Sequence, residues 1–186
     1  EITARDADSR SVADLVQSGT VELGIASMSG ERRALSFTPL FEEPLGIVCR
    51  RDDPLYRKRS GRRWSDLIGR TVLANAISDT NTIGTLPPPA QAPIVVYNVL
   101  SLLALVRANI GITILPQLSV SELPSDVGFV PIEEADARRT VGVITRAGEA
   151  LSPATAALLH IVRGALREIA GDFSITLSED VQPERH

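Results

Sequence analysis

Apolar and polar positions along this chain follow two periods, and residues 98–117, NVLSLLALVRANIGITILPQ, contain both. Val99, Leu102, Leu103 and Val106 fall at i, i+3, i+4 and i+7, one apolar stripe on a helix that Asn98 or Ser101 caps. Asn109 and Gly111 tolerate the positive φ of a sharp exit. The run Ile112, Thr113, Ile114, Leu115 then reads as a strand covered on both faces and ended by Pro116. A helix feeding a buried strand through a glycine turn is half of an α/β crossover, which predicts a mostly parallel sheet. In such sheets ligands collect at strand ends and helix starts.

The other segments extend that pattern. Ser9 or Ser11 caps a short helix with Val12, Leu15 and Val16 inward, and Gly19 follows its end. Val21, Leu23 and Ile25 alternate with polar or small residues, a strand that exits at Ser27. Residues 37–50 form a long extended segment marked by Pro39 and Pro44. Residues 64–68 suit a one-turn helix capped by Ser65, and residues 71–74, 94–97, 127–132 and 139–146 read as extended. Ser152-Pro153 opens a last helix with Leu158, Ile161, Val162, Ala165 and Ile169 on one face. Beyond residue 172 no period is sustained, and 173–186 reads as a frayed tail.

The richest loop chemistry lies at residues 75–82, NAISDTNT, small hydrogen-bonding side chains following a strand. Such residues make turns in any protein, but they also offer hydroxyls and backbone N–H groups to a carboxylate. Residues 86–93, LPPPAQAP, form a stiff connector. The pairs Glu42-Glu43 and Glu133-Glu134 imitate acid/base carboxylates, yet neighbours in an extended segment point to opposite faces, so they read as surface charges.

Charge and composition narrow the classes. A formal charge of -4 argues against a nucleic-acid surface in this segment, and 4% aromatic content against a stacking platform. Cys49 is the single cysteine, embedded in the apolar run GIVC, and reads as a small buried hydrophobe. With two histidines, His160 and His186, neither a metal site nor a Ser-His-Asp triad is supported, and no catalyst, metal or cofactor is expected. No apolar run reaches the roughly 18 residues of a membrane span.

Four pieces together resemble the effector-binding domain of LysR-type transcriptional regulators: LVQSGTVELGIAS at 15–27, PLFEEPLGIVCRRDDPL at 39–55, LLALVRANIGITILPQ at 102–117 and LSPAT at 151–155. WSDL at 64–67 also fits, and the resemblance covers roughly residues 1–172. It implies an α/β fold of two lobes, like type 2 periplasmic binding proteins, with mostly parallel sheets and two segments crossing between lobes. Lobe I then comprises residues 1–44 and the return helix 146–172, lobe II residues 45–145. The family places a further strand and helix ahead of the position where this chain starts, and a helical passage where 86–93 stands.

The resemblance implies a sensor that binds a small, anionic metabolite between the lobes and controls transcription through an upstream DNA-binding domain. Effector contacts are then expected at the polar strand exits and helix starts: Asp8, Ser9, Ser27, Ser78, Asp79, Thr80, Asn81 and Asn98. It further implies a cytoplasmic homodimer, paired through the helix at 11–17, with a tetramer as the alternative state of the parent protein, and no membrane partner. A transport-type solute receptor of the same fold is the alternative.

Overall fold

The computed structural model describes residues 3–28, 30–58, 60–75 and 94–181. The chain divides into two compact units, residues 1–42 with 140–186, and residues 43–139. Two strands pass from one unit into the other: β2 (Leu35–Arg50) and β5 (Arg138–Arg146).

In the first unit, α1 (Ser9–Gln17) leads into β1 (Gly24–Ala26), and β5 lies between β1 and β2. β1 pairs with β5 antiparallel, Ile25 opposite Val143. Ala13 and Val16 of α1 pack with Ala26, Leu35 and Ile144 in one apolar cluster. The helix sits close because Gly24 has no side chain: a Cβ there would lie 2.5 Å from a Val12 methyl. α4 (Pro153–Ile169) starts at the Ser152 cap that its sequence announces. Where no period was legible, β6 (Thr176–Leu177) pairs with β2 and a short 3-10 helix follows at Glu179–Val181.

In the second unit β2 is central, with β3 (Thr113–Pro116) on one edge and β4 (Val127–Pro131) on the other. Its alternate residues feed two cores. Leu45, Ile47 and Cys49 join Trp64, Leu67, Val72, Ile114 and Ile132 on one face. Val48 joins Leu73, Leu115 and the inner face of α3 (Val99–Arg107), namely Leu102, Leu103 and Val106, on the other. A 3-10 helix, Trp64–Leu67, and the one-turn α2 (Pro54–Arg57) cover the first face. Arg63, not Ser65, stands at the N-cap of that 3-10 helix.

The expectation of mostly parallel sheets is corrected. β1 with β5, and β2 with β3, β4 and β6, all pair antiparallel. Parallel pairing among the described residues is confined to single bridges, Arg62 with Ile132, Val72 with Ile112 and Ala74 with Val95. The physical reason lies in β2. A continuous apolar run reports burial on both faces and says nothing of strand direction, and here two cores bury an antiparallel strand. The helical crossover is present, since α3 joins the bridged segments at Val95 and Ile112, but those segments 71–74 and 94–97 shrink to bridges and the ladder passes to β2.

Candidate functional site

The candidate residues of the first unit lie at one helix start and one strand exit. Asp8 is the N-cap of α1, where Oδ1 accepts from the backbone N–H groups of Arg10 and Ser11 at 3.0 Å each, and Oδ2 from the Ser11 hydroxyl at 2.6 Å. The Ser11 hydroxyl, then its backbone N–H, hold the Asp8 carboxyl below its ordinary value. Asp8 therefore does the capping expected of Ser9 or Ser11, and Ser9 becomes the first helical residue. Ser27 follows β1 directly, and its buried hydroxyl has no hydrogen-bond partner among the described residues. A short link, 18–23, returns the chain from α1 into β1, which sets the helix start and the strand exit at the same end.

In the second unit Asn98 is the N-cap of α3, and its side-chain oxygen accepts from Ser101 N–H at 3.1 Å. Ser78, Asp79, Thr80 and Asn81 lie outside the described residues. Asn75, which precedes them in the chain, is described. Asn75 is buried and donates to Thr113 Oγ1 at 2.9 Å and to the Ile114 carbonyl at 3.1 Å.

The four α-helix starts among the described residues differ in charge. Asp8 occupies that of α1 and Asp53 that of α2, where it also pairs with Arg70. At α4 the Glu22 carboxylate accepts from Ser152 N–H, from the Ser152 hydroxyl at 2.9 Å and from the Thr155 hydroxyl at 2.6 Å. Those donors, Thr155 first, hold Glu22 below its ordinary value. α3 is capped by the neutral Asn98, with no acidic residue in its first turn and, among the described residues, no carboxylate bonded to its cap. Among the described residues its partial positive end is thus the one that no carboxylate meets.

Sequence reasoning missed Glu43. Far from a surface charge, it is fully buried, with Oε1 accepting from Arg139 Nε at 2.8 Å and Oε2 from Leu118 N–H at 2.9 Å. Its signal was present, since Glu43 shares the inward face of β2 with Leu45, Ile47 and Cys49 at a period of two. Glu134 likewise accepts from Trp64 N–H at 2.8 Å. Among the described residues no group of His, Cys, Asp and Glu is placed to hold a metal ion, and no helix is long and apolar enough to cross a membrane.

Residues 1–167 match the model of the LysR substrate binding domain. The chain belongs to that family. A relative from Escherichia coli K12, the uncharacterised HTH-type transcriptional regulator YbhD, is 33% identical over 140 residues, covering 72% of this chain and 44% of the relative. The hydrogen peroxide-inducible genes activator of Dickeya chrysanthemi is 25% identical over 171 residues, 81% of this chain and 52% of its own. This LysR-family chain thus spans about half the length of the curated relatives it matches.

Solved structures agree on the LysR-family fold. The regulatory domain of Synechocystis PCC6803 CcmR, in complex with 2-PG, superposes with a TM-score of 0.76 at 21% identity, covering 89% of this chain and 83% of that one. Full-length BenM gives 0.74 at 19% identity, covering 93% and 58%. The reduced form of OxyR gives 0.72 at 24% identity, covering 91% and 81%.

Proposed function

We propose that this chain is the effector-sensing domain of a LysR-type transcriptional regulator, that its effector is a small anion, and that it has no catalytic role. The family match over residues 1–167 carries the reading. The effector is taken to be held at strand exits and helix starts, with Ser27 of the first unit and Asn98 of the second as candidate contacts. Two observations favour an anion and its contacts: the neutral start of α3 at Asn98, which no carboxylate among the described residues meets, and the buried Ser27 hydroxyl, without a partner among the described residues. A solved BenM effector-binding domain holds its effector benzoate, and by analogy a carboxylate is the first class of compound to try.

The stimulus of the peroxide-inducible relatives is not carried over. Cys49 is the single cysteine of the sequence, so the chain closes no internal disulfide. Burial, then the nearby Asp53 charge, push its thiol up to about 11, far from the thiolate that oxidants attack.

Sensing requires different affinities for two arrangements of the protein, since a ligand that holds both equally switches nothing. On this reading the whole protein is cytoplasmic, pairs as a homodimer and reaches DNA through a domain beyond this chain. The test is thermal unfolding of the 186-residue chain against small carboxylates, phosphates and neutral amino acids. A ligand at 100 times its dissociation constant adds about 2.7 kcal/mol to the native state. Ser78→Ala and Thr80→Ala abolish the shift if their loop holds the ligand. A cooperatively unfolding chain that no compound in the panel stabilises would sink the anion reading.

A further inference from the structure

The first and last residues of the 43–139 unit are each other's ion-pair partner. Glu43 stands where β2 enters that unit and Arg139 where β5 leaves it. The Arg139 guanidinium reaches Glu43 Oε1 through two nitrogens, Nε at 2.8 Å and Nη2 at 2.7 Å. The Glu43 side chain has 0% exposure and that of Arg139 17%. One bond further along, Leu45 N–H donates to the Ala137 carbonyl at 2.8 Å. The other carboxylate oxygen of Glu43 accepts from Leu118 N–H in the 3-10 helix Gln117–Val120, a helix without a side-chain cap of its own.

A buried ion pair adds little net stability over an apolar pair of the same volume, yet separating its members leaves a bare charge in a dry interior. Its contribution is therefore to register and to cooperativity. A one-residue slip of β2 would turn Glu43 to the opposite face, away from Arg139 and Leu118. We propose that Glu43 and Arg139 form a clasp that fixes β2 and β5 in register at the base of this unit, so that the two crossings open together or not at all.

The test is native-state amide hydrogen exchange on the 186-residue chain without ligand, so the outcome is independent of whether an effector is found. In the wild type, the Leu45 and Leu118 amides share one opening reaction, with the same denaturant dependence. In Arg139→Gln both exchange about tenfold faster, whereas the Leu73 and Ile112 amides of the same unit change by less than about twofold. Arg139→Lys, which restores the charge, recovers most of the protection. Should Arg139→Gln fail to fold, Glu43→Gln/Arg139→Gln leaves no charge buried, and the clasp predicts that its Leu45 and Leu118 openings separate. Equal acceleration at all four amides, or none at Leu45 and Leu118, overturns the clasp and leaves an ordinary core ion pair.

Discussion

Asn75 donates its side-chain amide to the Thr113 hydroxyl across 2.9 Å of buried interior, and Thr113 in turn donates to the Leu73 carbonyl at 3.0 Å. This relay joins β3 to the segment 71–75, which in sequence precedes Ser78, Asp79, Thr80 and Asn81. Both side chains are buried, so each bond, once lost, strands a group that water does not reach.

Thr113→Val keeps the shape and removes the relay. The expected cost is about 1–3 kcal/mol, with a melting temperature lower by about 2–4 °C for each kcal/mol in a chain of this size. Differential scanning calorimetry reads it directly. A variant as stable as the wild type would mean that the hydroxyl contributes nothing to holding Asn75 and Leu73 against β3.

Asn98 separates capping from ligand charge. Asn98→Ala loses the bond from Ser101 N–H and costs about 0.5–2 kcal/mol of stability. Asn98→Asp retains the cap but sets a carboxylate at the start of α3, which weakens an anionic ligand held there by up to about fivefold. Isothermal titration of any anion found by the unfolding screen decides between them. Wild-type affinity in Asn98→Asp removes the start of α3 from the site.

Glu22 gives the first unit an acid-sensitive contact. Its folded value lies below the ordinary 4.5, through hydrogen bonds from Thr155 and then Ser152. The unfolded chain therefore takes up this proton at higher pH than the folded one, so the group stabilises the fold above its ordinary value. That contribution is lost as pH falls through the lower, folded value. The stability gap between wild type and Glu22→Gln should narrow from about pH 6 to about pH 3, followed by urea unfolding. A gap that widens with acid would contradict the lowered value.

Cys49 should be silent toward oxidants and alkylating agents. With the thiol buried and pushed up to about 11, iodoacetamide labelling near pH 8 in native buffer should run at least about a thousandfold slower than in denaturant. Mass spectrometry after mild peroxide treatment should find no Cys49 oxidation. Rapid native labelling would reopen a redox role.

Much of the fold, and the capping role of Asn98 among the candidate residues, was legible where the cause is local. Asn98 and Ser152-Pro153 cap their helices as read, because a cap is a bond between a side chain and an amide three residues on. Leu102, Leu103 and Val106 face a core for the same kind of reason, a period of 3.6. Nearby, the choice of cap at α1 went to Asp8, since a carboxylate accepts two N–H groups and a hydroxyl at once.

By itself the sequence determined the family, the helices α1, α3 and α4 with the caps of the last two, and the extended character of β2 and β5, all of which depend on residue type and short spacing. The tertiary structure decided strand direction and the fate of charges. Antiparallel and parallel neighbours bury the same apolar run equally well, so only the assembled sheet shows that β3 and β4 oppose β2. The period of two sets Glu43 on the inward face of β2, but the partner that makes its burial tolerable, Arg139, stands 96 positions away. A buried charge is tolerated for its partner's sake, and that partner is a matter of the folded chain.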